Sequence, residues 1–397
     1  MLAEAVFAFY LLYREGLTEG RGRMLTALAG ILLAFGLRGW MFGYETLDYQ
    51  NFLRPWVTFY RENGGFSALR ESVGNYNIPY LYFMALFSYS SLRDLTLIKL
   101  LSCFFDVLLA RGVMGLVGHC GGGKNKKLAV FLATLLLPTV VLNGALWGQC
   151  DSIYVALSVL AVYEVLEERP VFSMVLFALS FGFKLQAVFI LPAAVVLWAA
   201  KKLRWYHFLI FPATYVVLVL PAVLLGRPFW DTVTLYLSQT GSVGSGLNYN
   251  SPSLFAFFPF EDKTGAMAHS GIAAAFTLMG AVLLSAAVFR RKLNDRAVLA
   301  AVLLLAVGIP FLLPHMHERY FFAADVFSLV LAFVLPRFAL TAPLVQFASL
   351  LGYHAYLKGR YLLPMSYGAT ALGAVLVLTL LAYARELSGG ELRKMDP

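Results

Sequence analysis

The sequence predicts an all-α fold, a polytopic bundle of transmembrane helices with two long loops on one side, and three features carry that prediction. Only 13% of the 397 residues are charged and 60% are hydrophobic, against about 25% charged in a soluble domain. Apolar stretches of roughly 17 to 23 residues recur along the whole length, each long enough for a hydrocarbon core of about 30 Å. The apolar residues run continuously and do not alternate, which argues against a β-barrel.

In chain order the candidate spans are 2–13 (short), 23–42, 95–118, 128–145, 151–167, 170–184, 186–200, 204–226, 271–289, 297–313, 320–336, 338–356 and 366–384. That makes about 12 to 13 crossings. They form one integral membrane domain over 1–397, in three parts: 23–226 with a long loop at 43–94, a second long loop at 227–270, and the helices of 271–397. The N-terminal "MLAEAVFAFYLLYREG" lacks a basic start and a small-residue cleavage site, so it reads as a short first helix and not as a removed signal. Cys103, Cys120 and Cys150 show no pairing pattern, and no disulfide framework is expected.

The formal charge is +9, but most Lys and Arg sit in short loops between spans. That is the positive-inside pattern, and it explains the basic balance without a nucleic-acid or other acidic partner. With the spans above, the clusters Arg14/Arg21/Arg23, Lys124/Lys126/Lys127, Lys201/Lys202/Arg204, Arg290/Arg291/Lys292 and Arg385/Arg393/Lys394 all fall on one side. Counting "IPYLYFMALFSYSSL" (78–92) as a further crossing would flip every cluster after the first. That stretch is therefore expected to dip into the membrane or lie along it, and both long loops are expected to be extracytoplasmic.

In the second loop, "PFWDTVTLYLSQ" puts Phe229, Trp230, Val233, Tyr236 and Leu237 on one helical face, the pattern of an interfacial helix. "TGSVGSGLNYNSPS" follows, too rich in Gly, Ser and Asn to bury much. A mobile lid and a plain surface loop both fit it. "GGGKNKK" lacks the GxxxxGK[ST] arrangement, which excludes a P-loop, and no nucleotide-binding domain is present to drive a pump.

Polar groups near lipid are costly, so four stretches on the outer side call for an explanation. The first loop, "GYETLDYQNFLRPWVTFYRENG", opens with Glu45 and Asp48. A carboxylate beside apolar surface is tuned toward a general base, and a solvated acidic loop is the alternative. "LNGALWGQCDSIY" gathers Asn143, Gln149 and Asp151 at a helix junction. Asp151 is also a natural N-cap. "FGFKLQAVF" places Lys184 and Gln186 between two helices, against the charge bias; Lys184 either snorkels or faces a cavity and attracts an anion. "LPHMHERYFFAADV" holds His315, His317, Glu318 and Arg319. His315 and His317 project oppositely on a helix and HExxH is absent, so a metal role is disfavoured. Arg319 with two histidines suits a phosphate, whose oxygens match the guanidinium fork, with Glu318 as an orienting group. A helix–helix turn with an internal ion pair is the alternative.

Taken in order, "ETLDYQNFLRPW", "NIPYLYF", "LNGALWGQCDSIY", "FGFKLQAVFILP", "LNYNSPSLFAF" and "MHERYFFAADV" resemble the polytopic GT-C glycosyltransferases. The resemblance is to the bacterial and archaeal mannosyltransferase-like proteins related to the GPI mannosyltransferase II family. It covers roughly residues 23–335 and is most specific at "ALWGQCDS" and "MHERYF". Leu185 departs from the usual F-K-P-Q, and Asn77 and Ile78 stand where Asp-Tyr-Pro is common.

The resemblance implies an inverting hexosyltransferase acting on the outer face of a bacterial or archaeal cytoplasmic membrane. Its donor is a polyprenyl-phosphate sugar, mannose-like, and its acceptor a hydroxyl of a glycan, glycolipid or protein. Asp48 matches the family's catalytic acid and is expected to serve as general base. Lys184, Arg319, His315 and His317 are expected at the donor phosphate. Glu45, Arg54, Gln149, Asp151, Gln186, Asn250 and Glu318 are expected around the sugars. No cofactor is required, and a divalent Mg or Mn beside Asp48, shared with Glu45, is the variant left open. A lipid-linked sugar transporter or flippase, and a polymerase or ligase of lipid-linked glycans, are the competing readings.

Overall fold

The computed structural model describes residues 1–239, 246–258 and 264–389. The Gly/Ser-rich stretch 240–245 of the expected lid, and Arg393 and Lys394 of the basic tail, lie outside them. Every stretch predicted to span is helical, several of them in two pieces. Among the described residues, six helices are long and apolar enough to cross a membrane. A seventh is added if the bent pair Lys124–Leu136 and Pro138–Trp147, at 47°, counts as one span. The chain is thus a multi-pass all-α membrane protein, with fewer full-length apolar spans than the predicted 12 to 13. The shortfall includes Pro170–Phe183, Leu185–Ala199 and Phe322–Val334, which are apolar but short. The first two meet where Lys184 leaves helical geometry at φ −154, ψ 133.

The long helices divide by environment. Asp94–His119 and Asp295–Leu312 bury 67% and 83% of their apolar windows and form the centre. Trp205–Leu224 and Gly265–Val288 bury only 22% each, and leave Val217, Leu224, Phe276 and Leu284 exposed. Continuous apolar surface of this kind is the face a helix turns toward lipid.

One end of the bundle gathers the basic clusters. Lys124 Nζ lies 2.5 Å from Glu19, Lys127 pairs with Glu15, and Lys202 Nζ lies 3.1 Å from Asp295. His119 joins Glu167 and Asp295 at 2.8 Å each, and Asn294 donates to Glu386. The loops after the first, third, fifth and later helices therefore meet at one end, as the charge pattern predicted. The helix Ile78–Phe87 has 10 residues, about 15 Å at 1.5 Å per residue, half of a hydrocarbon core. Its N-cap Asn77 accepts from the Ile78 N–H at 2.8 Å and donates to the Tyr215 hydroxyl at 2.9 Å, which seats the helix against its neighbours.

Two buried cations organise the interior. Arg38 and Asp106 are both fully buried and pair at 2.8 Å. Arg38 also donates to the carbonyls of Ala34 and Leu135, and Ser152 donates to the other Asp106 oxygen at 2.5 Å. The Leu135 carbonyl sits at the end of a helix that stops before Pro138, so Arg38 satisfies an acceptor that the break leaves open. Lys99 does the same for Arg21–Met41, donating to the carbonyls of Met41, Phe42 and Tyr44 at 2.7–3.2 Å. That contact fixes where the first long loop begins.

The second long loop departs from expectation. "PFWDTVTLYLSQ" forms two short helices, Phe229–Val233 and Leu235–Gln239, broken at Thr234. The break splits the predicted face: Tyr236 is buried against Phe181, while Trp230 and Leu237 are exposed.

Candidate functional site

At the end opposite the basic clusters, four distant stretches converge, each at an interruption of a helix. Asp48 precedes a π-helical turn, Tyr49–Leu53, after the Lys99-capped loop start. A second π-helical turn, Leu142–Trp147, ends at Gly148 with φ +78, a conformation that favours glycine. The Gln149 N–H then returns to the Asn143 carbonyl at 2.9 Å, and Ser102 holds the Gln149 carbonyl at 2.6 Å. π-Bulges of this kind concentrate at functional sites because they re-aim side chains. The extended backbone at Lys184 is the one a proline at 185 would impose; here Leu185 follows it without that constraint.

Asp48 accepts hydrogen bonds at both carboxylate oxygens. Trp147 Nε1 and Gln149 Nε2 donate to Oδ2 at 2.7 and 2.6 Å, and the Tyr356 hydroxyl donates to Oδ1 at 2.6 Å. Arg319 Nη1 stands 3.6 Å from the same Oδ2. Trp147 is held by stacking on Tyr356, ring centroids 4.5 Å apart, and by Tyr353 edge-on. The Thr46 hydroxyl donates to the Trp147 carbonyl, which ties the loop to the helix break.

Asp151 is the first residue of Asp151–Leu166, with Cys150 at the cap position, so it is not the N-cap. Its oxygens instead accept from Lys184 Nζ at 2.5 Å and Asn143 Nδ2 at 2.8 Å. Arg319 lies between the carboxylates: Nη1 bonds Glu318 at 2.9 Å and Nε is 3.7 Å from Asp151. Its guanidinium faces the Trp147 ring at 5.2 Å. Burial works against the Arg319 charge, but Glu318, Tyr76, Asp151 and Asp48 outweigh it and hold the group well above its usual range. Arg319 Nε is buried with no hydrogen-bond partner among the described residues. That unfilled donor, 3.7 Å from Asp151, and Nη1, 3.6 Å from Asp48, make a loose arrangement that a ligand can tighten.

The cluster therefore holds three carboxylates, Asp48, Asp151 and Glu318, against two cations, Lys184 and Arg319. Glu318 beside Arg319 was expected; the pairing of Lys184 with Asp151 was not. The other expected members sit elsewhere. His315, at φ +62, donates through Nδ1 to the Gly246 carbonyl at 2.7 Å, and its backbone N–H donates to the Leu247 carbonyl. His317 stacks on Tyr249 at 4.7 Å and meets the cluster only through Glu318, at 3.8 Å. Both histidines thus hold the 246–250 segment, whose Asn248–Tyr249 pairs in parallel with Met316–His317. Asn250 accepts from the Tyr361 hydroxyl at 2.6 Å and does not join Asp48. Its carbonyl and Glu318 crowd Gly352, where a Cβ would meet them at 2.9 and 3.0 Å. Gln186 reaches Tyr320.

Glu45 bonds Arg93 and Gln50, and with Arg54 it lines a separate cavity of about 420 Å³. Those contacts hold the Glu45 carboxyl below the usual range, Gln50 first and Arg93 next. Among the described residues no group of three or more His, Cys, Asp or Glu side chains is placed to hold a metal.

Sequence reasoning missed Trp147, Tyr353 and Tyr356. Trp147 lay inside the quoted "ALWGQCDS". The tyrosines lie in Thr341–Lys358, beyond the resemblance; the available signal was "GYHAY", polar aromatics clustered at the end of an apolar helix. Compared with known proteins, the chain matches no protein-family profile and no curated protein.

Proposed function

We propose that this protein is a glycosyltransferase that moves a hexose from a polyprenyl-phosphate donor to an acceptor hydroxyl, with inversion, on the outer face of the membrane. The observation that carries the reading is Asp48 at 3.6 Å from Arg319, a base beside a cation, at the end opposite the basic clusters. The GT-C resemblance described above supports it independently.

In this reading Asp48 takes the proton of the acceptor hydroxyl as the hydroxyl oxygen bonds to the anomeric carbon. The bond from that carbon to the phosphate oxygen breaks, and polyprenyl phosphate leaves. The phosphate gains one negative charge while Asp48 loses one, so the total charge of the site is unchanged. Lys184 and Arg319, already neutralised by Asp151 and Glu318, attract the donor's diester only weakly and serve the charge that develops on the leaving group. The acceptor hydroxyl takes the place of Tyr356 at Asp48 Oδ1. Gln149 and Trp147 keep the carboxylate aimed.

Supplying purified protein with polyprenyl-phosphate hexoses and a range of acceptors tests the reading. Transfer or donor hydrolysis is expected with these donors; activity confined to nucleotide sugars would refute it. Arg319→Lys keeps the charge but loses the fork, and is expected to lower kcat about 10²-fold with thermal stability largely retained. Unchanged transfer in both Arg319→Lys and Lys184→Ala would remove the phosphate role.

Orientation has its own test. Lys126 and Tyr361 are exposed at opposite ends. Single cysteines there, in a Cys120→Ser background, are expected to react differently with an impermeant thiol reagent in intact cells. Position 361 labels directly, and position 126 only after permeabilisation. Labelling of both from outside would overturn the assignment of the site to the outer face.

A transporter of lipid-linked sugars is the second reading, and intramembrane ionisable groups favour it: Arg38–Asp106, and Asp325, which accepts from Gln346 at 2.8 Å. Arg38 and Asp106 are fully satisfied by local partners, which fits a fixed joint better than a moving coupling site.

A further inference from the structure

The first long loop lines an open cavity apart from the hydrogen-bonded Asp48 cluster. Its volume is about 420 Å³, within the range of small-molecule sites. Glu45, Tyr49, Arg54, Arg61, Arg93 and Asp94 line it. Arg61 Nη2 pairs with Asp94 at 2.5 Å, and Arg93 pairs with Glu45. The Arg54 side chain is exposed and makes no hydrogen bond or ion pair among the described residues. Three guanidinium groups thus face two carboxylates, leaving one unbalanced positive charge on the wall. Tyr49, also on the wall, is the residue next to Asp48, so the cavity and the proposed base share one turn of chain.

We propose that this cavity is an acceptor subsite for an anionic sugar, one bearing a phosphate ester or carboxylate, which Arg54 grips. The guanidinium fork matches both oxyanions in a bidentate way, which a neutral sugar cannot exploit. Docked by its charge at Arg54, such an acceptor presents a hydroxyl toward the neighbouring Asp48. The word acceptor rests on the glycosyl-transfer reading; the binding site does not.

Binding is measured on the full chain in a neutral detergent, by calorimetric titration with glucose 6-phosphate, glucuronate and glucose. The anionic sugars are expected to bind at least tenfold more tightly than glucose. Arg54→Ala, which breaks no bond in the folded protein, is expected to remove that advantage, and Arg93→Ala to weaken it. Asp48→Asn is expected to leave it intact. Equal binding of glucose and glucose 6-phosphate overturns the proposal, and so does unaltered binding by Arg54→Ala. A response to phosphatidylglycerol nanodiscs alone, with none to the free sugars, also overturns it, by assigning the cavity to a lipid headgroup. Anionic-sugar binding in a protein that transfers no hexose supports this site and counts only against the proposed reaction.

Discussion

Asp48→Asn is expected to lower hexose transfer by about 10²–10⁴-fold while the fold survives. Asparagine can keep its carbonyl under Trp147 Nε1 and Gln149 Nε2, which now donate at 2.7 and 2.6 Å. Its amide then faces the Tyr356 hydroxyl, which can turn to accept. Every local partner is satisfied, so the loss isolates the proton-accepting role. Tyr356→Phe is the companion: it frees Oδ1 without touching the carboxylate, and transfer is expected to stay within about tenfold of the parent. Initial rates with a radiolabelled donor, read beside thermal unfolding of each variant, check both. Full transfer by Asp48→Asn would exclude Asp48 as the base.

The largest stability effect is expected at Arg38. Removing it, as in Arg38→Ala, leaves Asp106 fully buried with only Ser152 as a partner, and strips the Leu135 carbonyl of its donor. Breaking one side of a buried pair costs about 3–5 kcal/mol. Replacing both partners with apolar residues, Arg38→Leu with Asp106→Leu, removes the stranded charge along with the bond. The double variant is therefore expected to recover much of the loss. Denaturation in detergent measures the cycle. If Arg38→Ala unfolds at the parent's midpoint, the pair does not hold the bundle together.

Arg38 also shows how stability and site are linked. It joins Arg21–Met41 to Asp94–His119 and to the end of Lys124–Leu136. Lys99, on the second of these helices, caps the first and sets the start of the loop that carries Asp48. Loss of the Arg38 joint should therefore loosen the position of Asp48 as well as the bundle.

Much of the architecture was legible in the sequence. The apolar runs located the helices, because lipid demands long, internally bonded apolar segments and tolerates nothing else. The spacing of basic clusters correctly gathered them at one end and singled out Lys184 as belonging to the other. Pattern arguments failed where a helix breaks. The face drawn through Trp230, Tyr236 and Leu237 assumed one continuous helix, and Thr234 interrupts it. Span counting likewise overestimated the full-length crossings, because it admitted short segments such as Pro170–Phe183 and Leu185–Ala199, and one broken at Pro138.

The polar residues divide in the same way. Composition and spacing were enough to mark Asp48, Gln149, Asp151, Lys184, Glu318 and Arg319, since each is an ionisable or amide group next to lipid-length apolar sequence. Their partners could not be read, because a contact between residues 48 and 356, or 143 and 353, depends on how helices pack and not on neighbours in the chain. Packing alone decided that Glu45 turns to Arg93 and away from Asp48, and that both histidines secure the 246–250 segment. It also decided that the two cations arrive already paired with carboxylates. Hydrophobic pattern determines which residues must be in the membrane and which must leave it; only the folded bundle determines which of those polar groups find one another, since buried polar groups are tolerated only with charged or hydrogen-bonding partners.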